Sequence, residues 1–408
     1  MDLHDVDLSD PDVFQRGDHH EMFAVLRRED PVHWQPERTG RGFWCLTTHA
    51  DVQAANRDAA TFKSGEGFTL AEPDEDTATF GELLPGMDAP RHTRFRRIVN
   101  RGFTPRMLGL IEGHLTYKAQ VIVDNVIERG SCDFVTDIAA ELPLQAIAEL
   151  MGVPQEDRRQ LFDWSNKMIG IDDPEYRGDP DQGRQTAAEM FLYADALGRE
   201  RAGEPRDDIV TTLINAEVDG DHLSDAEFGM FFLLLVVAGN ETTRNATAHG
   251  MRALLENPDE LAKLVADPSR ERIERAVEEI LRWASPVLYF RRTATRDVVV
   301  RDTTIKAGDK VALWYASANR DETVFLDPYR FDVDRWPNEH VAFGGGGPHF
   351  CLGANLARME LRLIFREIVT RLHDVELAGP VEALRSNFVG GIKHMPVRWT
   401  PAQLAAAR

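Results

Sequence analysis

The feature that most restricts the fold is an apolar segment near the middle of the chain. Ser224-Asp-Ala-Glu227 has the spacing of a capping box, in which a serine and a glutamate satisfy backbone N–H groups at a helix start. The residues that follow, from Phe228 to Gly239, are apolar on every side of a helix, and such a helix is buried all round. We therefore predict a long central helix that starts after Ser224 and ends near Leu255.

Helical patterns dominate the rest of the chain, and strand patterns occur in two places. Segments with apolar residues three and four apart lie at 105–125, 137–151 and 270–283. Runs typical of strands flank glycine-containing turns near 31–47 and 288–316. The sequence therefore predicts a mainly α fold with small β-sheets.

The chain carries a large excess of negative charge. Lys plus Arg number 47 and Asp plus Glu number 68, so the formal net charge of −21 repels nucleic acid and anionic membranes. The longest apolar run, Met230–Gly239, is far shorter than the ~20 residues of a membrane span. The acidic start lacks a signal-peptide pattern, and three scattered cysteines suit a reducing compartment. We expect a cytoplasmic protein with one domain over 1–408, no membrane span and no nucleic-acid partner.

A glycine-rich loop places a cysteine just before a helix. In Phe343-Gly-Gly-Gly-Gly-Pro-His-Phe-Cys351-Leu-Gly353, the glycines allow tight turns and a close approach of the backbone to a flat group. The free N–H groups and positive dipole of a helix start stabilise a thiolate, which is the form that binds a metal. The alternative is a turn with a buried, inert thiol. A phosphate loop fits less well, because no Lys-Ser/Thr follows the glycines.

Polar residues interrupt the central apolar helix at Ala238-Gly-Asn-Glu241-Thr242-Thr243. Ala238 and Thr242 are four residues apart and share a helix face, so a flat ligand could lie there and meet a hydroxyl. Glu241 needs a partner, a water or a function, because an unpaired buried charge is costly. The alternative is a helix kink with an ordinary ion pair between Glu241 and Arg244.

Two further sets of charged residues have helical spacing. Glu279 and Arg282 are three apart and can pair, although the pair could equally be a surface one of little value. His92 and Arg96 are four apart after Pro90, an arrangement that can hold a carboxylate, and Arg292 follows much later in the chain. A solvated basic face is the alternative for this second set.

In this order and in combination, these elements resemble the cytochrome P450 family. The resemblance runs from the hairpin at Trp34–Trp44 to Gly390-Gly-Ile-Lys-His, and the cysteine loop is its most specific part. The loop is one residue longer than the commonest family pattern, as in bacterial members that act on steroid side chains and methyl-branched lipids. Tyr329 stands where the family has a glutamate.

The resemblance implies a P450 fold in which the long central helix crosses a haem b. Cys351 would be the axial ligand to the iron. The haem propionates would be held by four side chains, and four small or apolar residues would lie against the ring. The first set is His92, Arg96, Arg292 and His349; the second is Phe343, Gly353, Ala238 and Gly239.

The resemblance also implies a support for the cysteine loop and a pair of residues that act on oxygen. Glu279 and Arg282 would buttress the loop together with either Arg330 or Arg335. Thr242 would be the hydroxyl that assists oxygen activation, since a hydroxyl both donates and accepts hydrogen bonds. Glu241 would belong to a proton relay through water.

The implied activity is a monooxygenase that inserts one atom of O2 into an unactivated C–H bond. Electrons would come from a ferredoxin and its reductase, which could dock on a basic surface at Arg94, Arg97 and Arg101. An ordinary solvated face is the alternative for those arginines. Two other classes stay open: a haem-thiolate protein that binds a ligand without oxygenating it, and a peroxygenase. The Glu241–Thr242 pair counts against both.

The residues expected near the substrate are apolar, so the substrate should be apolar too. The resemblance favours a steroid side chain, a branched lipid or a terpenoid, and the tailoring of a polyketide or terpene natural product stays an alternative. The expected pocket residues are Phe68, Val236, Val287, Leu288, Val389 and Ile392.

Overall fold

Helices make up most of the structure, as the sequence predicts. The computed structural model describes residues 1–38, 40–72, 82–170, 172–176, 181–217 and 220–402. Their α-helices are α1 Pro11–Arg16, α2 His19–Glu29, α3 His49–Arg57, α4 Arg91–Val99, α5 Pro105–Ile127, α6 Glu141–Leu150, α7 Arg158–Ile169, α8 Gln182–Gly203, α9 Ile209–Ile214, α10 Asp225–Glu256, α11 Pro258–Ala266, α12 Arg270–Ala284, α13 Tyr315–Ala318 and α14 Ala354–Arg371.

The strands form small sheets at the side of the helical body. The largest sheet has the order β1-β2-β8-β5-β3, with β2 and β8 parallel and its other neighbours antiparallel. The second has the order β4-β12-β9, and β6–β7 and β10–β11 are hairpin-like pairs. The strands are β1 Val32–Gln35, β2 Phe43–Leu46, β3 Phe62–Lys63, β4 Ser131–Asp133, β5 Tyr289–Ala294, β6 Val298–Val300, β7 Thr303–Ile305, β8 Lys310–Trp314, β9 His373–Leu377, β10 Glu382–Ala383, β11 Ile392–His394 and β12 Pro396–Thr400.

The predicted central helix is α10, and it begins with the predicted capping box. The Ser224 hydroxyl accepts a hydrogen bond from the Glu227 backbone N–H at 3.2 Å, and the Glu227 carboxylate accepts one from the Ser224 N–H at 3.0 Å. The helix packs against α6, α7, α8, α12 and α14, which explains its apolar surface. It is not buried all round, because Ala238 faces a cavity.

The other predicted elements are mostly confirmed. The helix predicted over 137–151 is α6, but its α-helical part starts only at Glu141 because Val135–Ala139 is a π-helical turn. The prediction that strands occur in only two places is wrong, since β3, β4 and β9 to β12 lie elsewhere. These strands are two to five residues long, and β9 is largely exposed, so they lack a strong alternating apolar pattern.

One large apolar core joins elements from distant parts of the chain. It includes Phe95 of α4, Phe231 of α10, Phe365 of α14 and Trp399 of β12, each almost fully buried. The central helix α10 runs through this core and contacts both α6 and α14. No helix of the described residues combines the length and the apolarity that crossing a membrane requires.

Candidate active site

A cavity lies between α10 and the start of α14. Its walls enclose about 1380 Å³ of empty space, counting the open mouth. Both helices contribute stripes of residues three and four apart: Phe231, Leu234, Leu235, Ala238, Gly239, Thr242, Thr243 and Ala246 from α10, and Gly353, Leu356, Ala357, Glu360 and Leu361 at the other wall.

The cysteine loop is shaped by its glycines. Gly344, Gly346 and Gly347 all have positive φ angles, between 77° and 95°, which residues with a side chain rarely adopt. A Cβ on Gly347 would lie 2.3 Å from the Asn56 carbonyl oxygen, so the loop must pack directly on the end of α3. The Cys351 N–H donates to the Phe343 carbonyl at 2.9 Å, which closes the loop.

The Cys351 side chain faces the cavity at the foot of α14. Burial among protein atoms raises the pKa of the thiol, while the Gly353 backbone N–H and the charges of Arg96 and Arg358 lower it. The Arg358 guanidinium also lies over the Phe343 ring, 4.5 Å from its centre. The loop, the helix start and two arginines thus surround the sulfur with groups that favour a thiolate.

Four basic side chains gather near Cys351: Arg96, Arg292 and His349 line the cavity, and His92 lies beside His349. The His92 and His349 rings lie 4.2 Å apart, centre to centre, and the Arg96 guanidinium donates to the Phe350 carbonyl at 2.6 Å. Burial and the Arg96 charge lower the pKa of His92 to about 4. Burial also lowers the pKa values of Arg96 and Arg292.

This basic cluster fits a ligand that carries carboxylates. No carboxylate of the described residues hydrogen-bonds to any of its four members, and the same residues offer no hydrogen-bond partner to the buried Nε2 of His92. Buried polar groups need partners, so an anionic ligand is the natural complement. A facing cysteine, a basic cluster and apolar walls together fit a haem, whose iron a cysteine thiolate can bind.

The residues expected to support the cysteine loop form a buried ion network centred on Glu279. Arg282 donates to both carboxylate oxygens at 2.7 and 2.8 Å, and both side chains are fully buried. Arg335 donates to the same oxygens at 3.1 and 3.2 Å. Arg330 contributes only its backbone carbonyl, which accepts from Arg335 at 2.8 Å. The open choice between the two arginines therefore resolves to Arg335 for the contact with Glu279.

On α10, the Thr242 hydroxyl faces the cavity and donates to the Ala238 carbonyl at 2.8 Å. Gly239 also lines the cavity, but packing explains why it must be glycine. A Cβ there would lie 2.4 Å from Cδ1 of Ile147 on α6. Ala238 and Thr242 thus share the cavity face, as their spacing predicts.

Glu241 points away from the cavity into a buried polar cluster. Its carboxylate is 1% exposed, accepts from the Ser165 hydroxyl at 3.1 Å and pairs closely with Arg244. Arg244 also donates to the Asn166 side chain at 2.7 Å. Burial raises the pKa of Glu241, and the Arg244 charge opposes that rise. The ion pair considered as an alternative from the sequence is therefore present.

Of the residues expected to face a substrate, Val287 alone lines the cavity in the part of the chain that the structure describes. Val236 does not line the cavity, because it is two residues from Ala238 and so lies on the opposite face of α10. Leu288 follows Val287 in an extended segment and points the other way. Phe68, Val389 and Ile392 are buried behind the lining, where Phe68 packs on the Phe290 ring.

Several lining residues were missed by the sequence analysis. Phe231, Leu234 and Leu235 continue the Ala238–Thr242 stripe at helical spacing, so that periodicity was the available signal. Phe290, three residues after Val287, also lines the cavity. Glu360 lines it as well, and only its helical distance from Gly353 pointed to it.

The surface proposed at Arg94, Arg97 and Arg101 carries less free positive charge than the sequence suggests. Arg94 donates to Glu227 at 2.8 Å and to the His222 carbonyl at 2.7 Å, and it also pairs with Asp221. Its charge is therefore neutralised within the protein.

Comparisons with protein families and with curated proteins agree with each other. The sequence model of the family described as Cytochrome P450 matches residues 144–378. A protein of Mycolicibacterium smegmatis named Steroid C26-monooxygenase is 47% identical over 400 residues, which are 95% of this chain and 92% of that protein. A Methyl-branched lipid omega-hydroxylase of Mycobacterium tuberculosis is 44% identical over 387 residues, covering 93% of this chain and 90% of that protein.

Comparison with solved structures gives the same family. A cytochrome P450 of Mycobacterium marinum in complex with pseudoionone superposes with a TM-score of 0.91 at 39% sequence identity. The match covers 97% of this chain and 98% of that chain. A corticosterone complex of a Bacillus megaterium protein superposes with a TM-score of 0.83 at 30% identity, covering 93% and 98% of the two chains.

Proposed function

Because this chain belongs to the cytochrome P450 family of monooxygenases, we propose that it hydroxylates the end of a methyl-branched alkyl chain on an apolar substrate. The observation that carries this proposal is the cavity, where Cys351 and Thr242 line the same space and most other lining residues are apolar. Such a wall can bind an alkyl chain, but it offers few hydrogen-bonding groups to a polar substrate.

We propose that the cofactor of this enzyme is haem b, with Cys351 as the iron ligand. His92, Arg96, Arg292 and His349 would hold the propionates, because no carboxylate among the described residues hydrogen-bonds to this basic cluster. Phe343, Gly353, Ala238 and Gly239 line the same space and would lie against the ring. Haem with a thiolate ligand supplies the electron-rich iron needed to activate O2.

The protein's own task is to place the substrate, exclude water and deliver protons. Thr242 is the lining residue whose hydroxyl can turn from the Ala238 carbonyl toward the cavity and present its proton there. Glu241 is separated from the cavity by its pairing with Arg244 and Ser165. We propose that Thr242 acts directly, while Glu241 contributes to a relay only when its contact with Arg244 opens.

The substrate class rests on what the relatives have in common. A steroid side chain oxidised at C26, a methyl-branched lipid oxidised at its ω end and pseudoionone all carry a methyl-branched chain. The apolar stripe of Phe231, Leu234 and Leu235 on α10 is suited to such a chain. Val287 and Phe290 add to the same apolar wall. We propose that the electrons come from a ferredoxin and its reductase.

A binding and product experiment tests the substrate class. Sterols with a branched side chain, methyl-branched fatty acids and straight-chain fatty acids of equal length are titrated against the haem-loaded protein, and binding is followed by the shift of its Soret band. The proposal expects tighter binding of the branched compounds and a product hydroxylated at a terminal methyl, formed with O2, ferredoxin and reductase. Equal affinity for straight chains with mid-chain products would contradict it, and turnover with peroxide alone would indicate a peroxygenase.

A further inference from the structure

An ion pair between α12 and α14 lies beside the cysteine loop. Arg358 of α14 donates two hydrogen bonds to the Glu278 carboxylate, from Nε at 2.7 Å and from Nη2 at 2.8 Å. A bidentate pair of this kind has a defined geometry, so both charges are held in place. The side chains of Arg358 and Glu278 are 35% and 22% exposed, and water therefore screens their charges only in part.

His340 holds the Glu278 carboxylate from the other side. Its Nδ1 accepts a hydrogen bond from the Ala342 N–H at 3.2 Å, which leaves the ring proton on Nε2 to be donated to Glu278 Oε2 at 3.0 Å. Burial would raise the pKa of Glu278, but the hydrogen bonds from Arg358 and His340 lower it to about 2. The carboxylate therefore carries a full negative charge at neutral pH.

The two charges of the pair act unequally on the cysteine. The Arg358 guanidinium lies over the Phe343 ring, 4.5 Å from its centre, and the Phe343 carbonyl accepts the Cys351 N–H at 2.9 Å. Burial raises the pKa of the Cys351 thiol, and of the two charges in the pair it is that of Arg358 that acts against this rise. The pair is therefore a dipole whose positive end is turned toward Cys351.

We propose that the Glu278–Arg358 pair sets the reduction potential of the iron bound to Cys351. A fixed positive charge favours the state with one more electron, and a fixed negative charge disfavours it. The two effects largely cancel while both charges are present, and each becomes visible when its partner is removed. Glu278 and Arg358 are positioning residues, because they act through the cysteine loop. This inference rests on the proposed ligation of haem by Cys351.

A redox titration of the haem-loaded protein, followed by its absorption spectrum, tests the proposal. Glu278→Gln removes the negative charge and keeps the shape of the side chain. We expect a more positive midpoint potential, with the equilibrium constant for reduction about tenfold larger, which is about 59 mV for one electron. Arg358→Met removes the positive charge, and we expect a shift of similar size in the opposite direction. The double variant should return close to the wild-type potential.

The opposite signs distinguish an electrostatic role from a structural one, because loosening of the loop would shift both variants in the same direction. Arg358→Lys keeps the charge and should restore most of the wild-type potential. Arg362→Met is the matched control, since Arg362 lies one turn further along α14 and pairs with Glu112 of α5. It should leave the potential unchanged. If Arg358→Met does not load haem, absence of the positive shift in Glu278→Gln would still overturn the proposal.

The carbon monoxide difference spectrum of the same samples separates this inference from the proposed function. A wild type without the band of a thiolate-ligated haem would refute ligation by Cys351, and the inference would fall with it. If the wild type and the variants all show that band, but Glu278→Gln and Arg358→Met keep the wild-type potential or shift in the same direction, the pair is only structural. In that case the inference alone fails.

Discussion

Arg335 donates from a single nitrogen, Nε, to both carboxylate oxygens of Glu279, at 3.1 and 3.2 Å. Its two terminal nitrogens bind the backbone carbonyls of Leu326, Asp327 and Arg330. One side chain thus ties the segment that follows α13 to the buried carboxylate of α12.

The two arginines of this segment should differ sharply in their effect on stability. Arg335→Ala removes contacts to a buried carboxylate and should lower the free energy of unfolding by about 1–3 kcal/mol. Arg330→Ala is the matched control, since only its backbone carbonyl takes part, and it should change stability by less than about 0.5 kcal/mol. Denaturant unfolding measures both, and equal effects would contradict the assignment of Arg335.

Glu279→Ala should be the most damaging change in this network. It leaves the fully buried Arg282 without its carboxylate partner, and breaking a buried pair in this way costs about 3–5 kcal/mol. Thermal or denaturant unfolding of the apo and haem-loaded proteins checks the value. A loss below about 1 kcal/mol would show that the network adds little to the fold.

Glu278 should make stability depend on pH. Burial alone would raise its pKa, but hydrogen bonds from Arg358 and His340 lower the pKa to about 2, below the ordinary value of 4.5. A lowered pKa means that the stabilisation is complete above the ordinary value and is lost as the pH falls through about 2.

The Glu278→Gln variant isolates this contribution. It should be less stable than the wild type by roughly 1–3 kcal/mol at about pH 7, with allowance for partial exposure, and the difference should shrink below about pH 4. Free energies of unfolding at several pH values measure it. A difference that stays constant with pH would show that the ion pair with Arg358 is not its source.

Thr242 and Thr247 make the same backbone contact and offer a matched pair. Each hydroxyl donates to the carbonyl four residues earlier at 2.8 Å, but only Thr242 lines the cavity. Thr242→Ala should keep haem binding while product per reductant falls by about 10-fold or more and hydrogen peroxide appears instead. Thr247→Ala should keep full coupling. Full coupling in Thr242→Ala would remove this residue from the mechanism.

Val287 and Val389 form a second matched pair, because they face each other in an isolated β-bridge and only Val287 lines the cavity. Val287→Phe should weaken binding of a branched substrate by about 10-fold, a loss of about 1.4 kcal/mol, with little loss of stability. Val389→Phe overpacks a buried site and should cost about 1–3 kcal/mol of stability. Soret titrations and unfolding curves separate the two effects.

Much of this architecture could be predicted from local patterns. The capping box at Ser224 and the apolar run after it determine where α10 starts and why it is central, and the glycines before Cys351 dictate a loop with positive φ angles. Interactions that depend on which elements meet were not predictable. The choice of Arg335 over Arg330 is one of them.

The residues that face the cavity were also not fully predictable from the sequence. Which of two consecutive residues, Val287 or Leu288, faces the cavity depends on the register of one short bridge, which no pattern in the sequence reveals. The burial of Glu360 could not be predicted from the sequence for a different reason. A glutamate in a helical pattern is usually expected to be solvent-exposed. The burial of Glu360 becomes evident only when α14 is packed against α10 and α12.

The central claim is that the Cys351 sulfur binds the iron of a haem in this cavity. The most direct test is the carbon monoxide difference spectrum of the reduced protein, recorded for the wild type and for Cys351→Ala. We predict the red-shifted Soret band of a thiolate-ligated haem in the wild type and its loss in the variant. The same band in Cys351→Ala would show that another residue holds the iron.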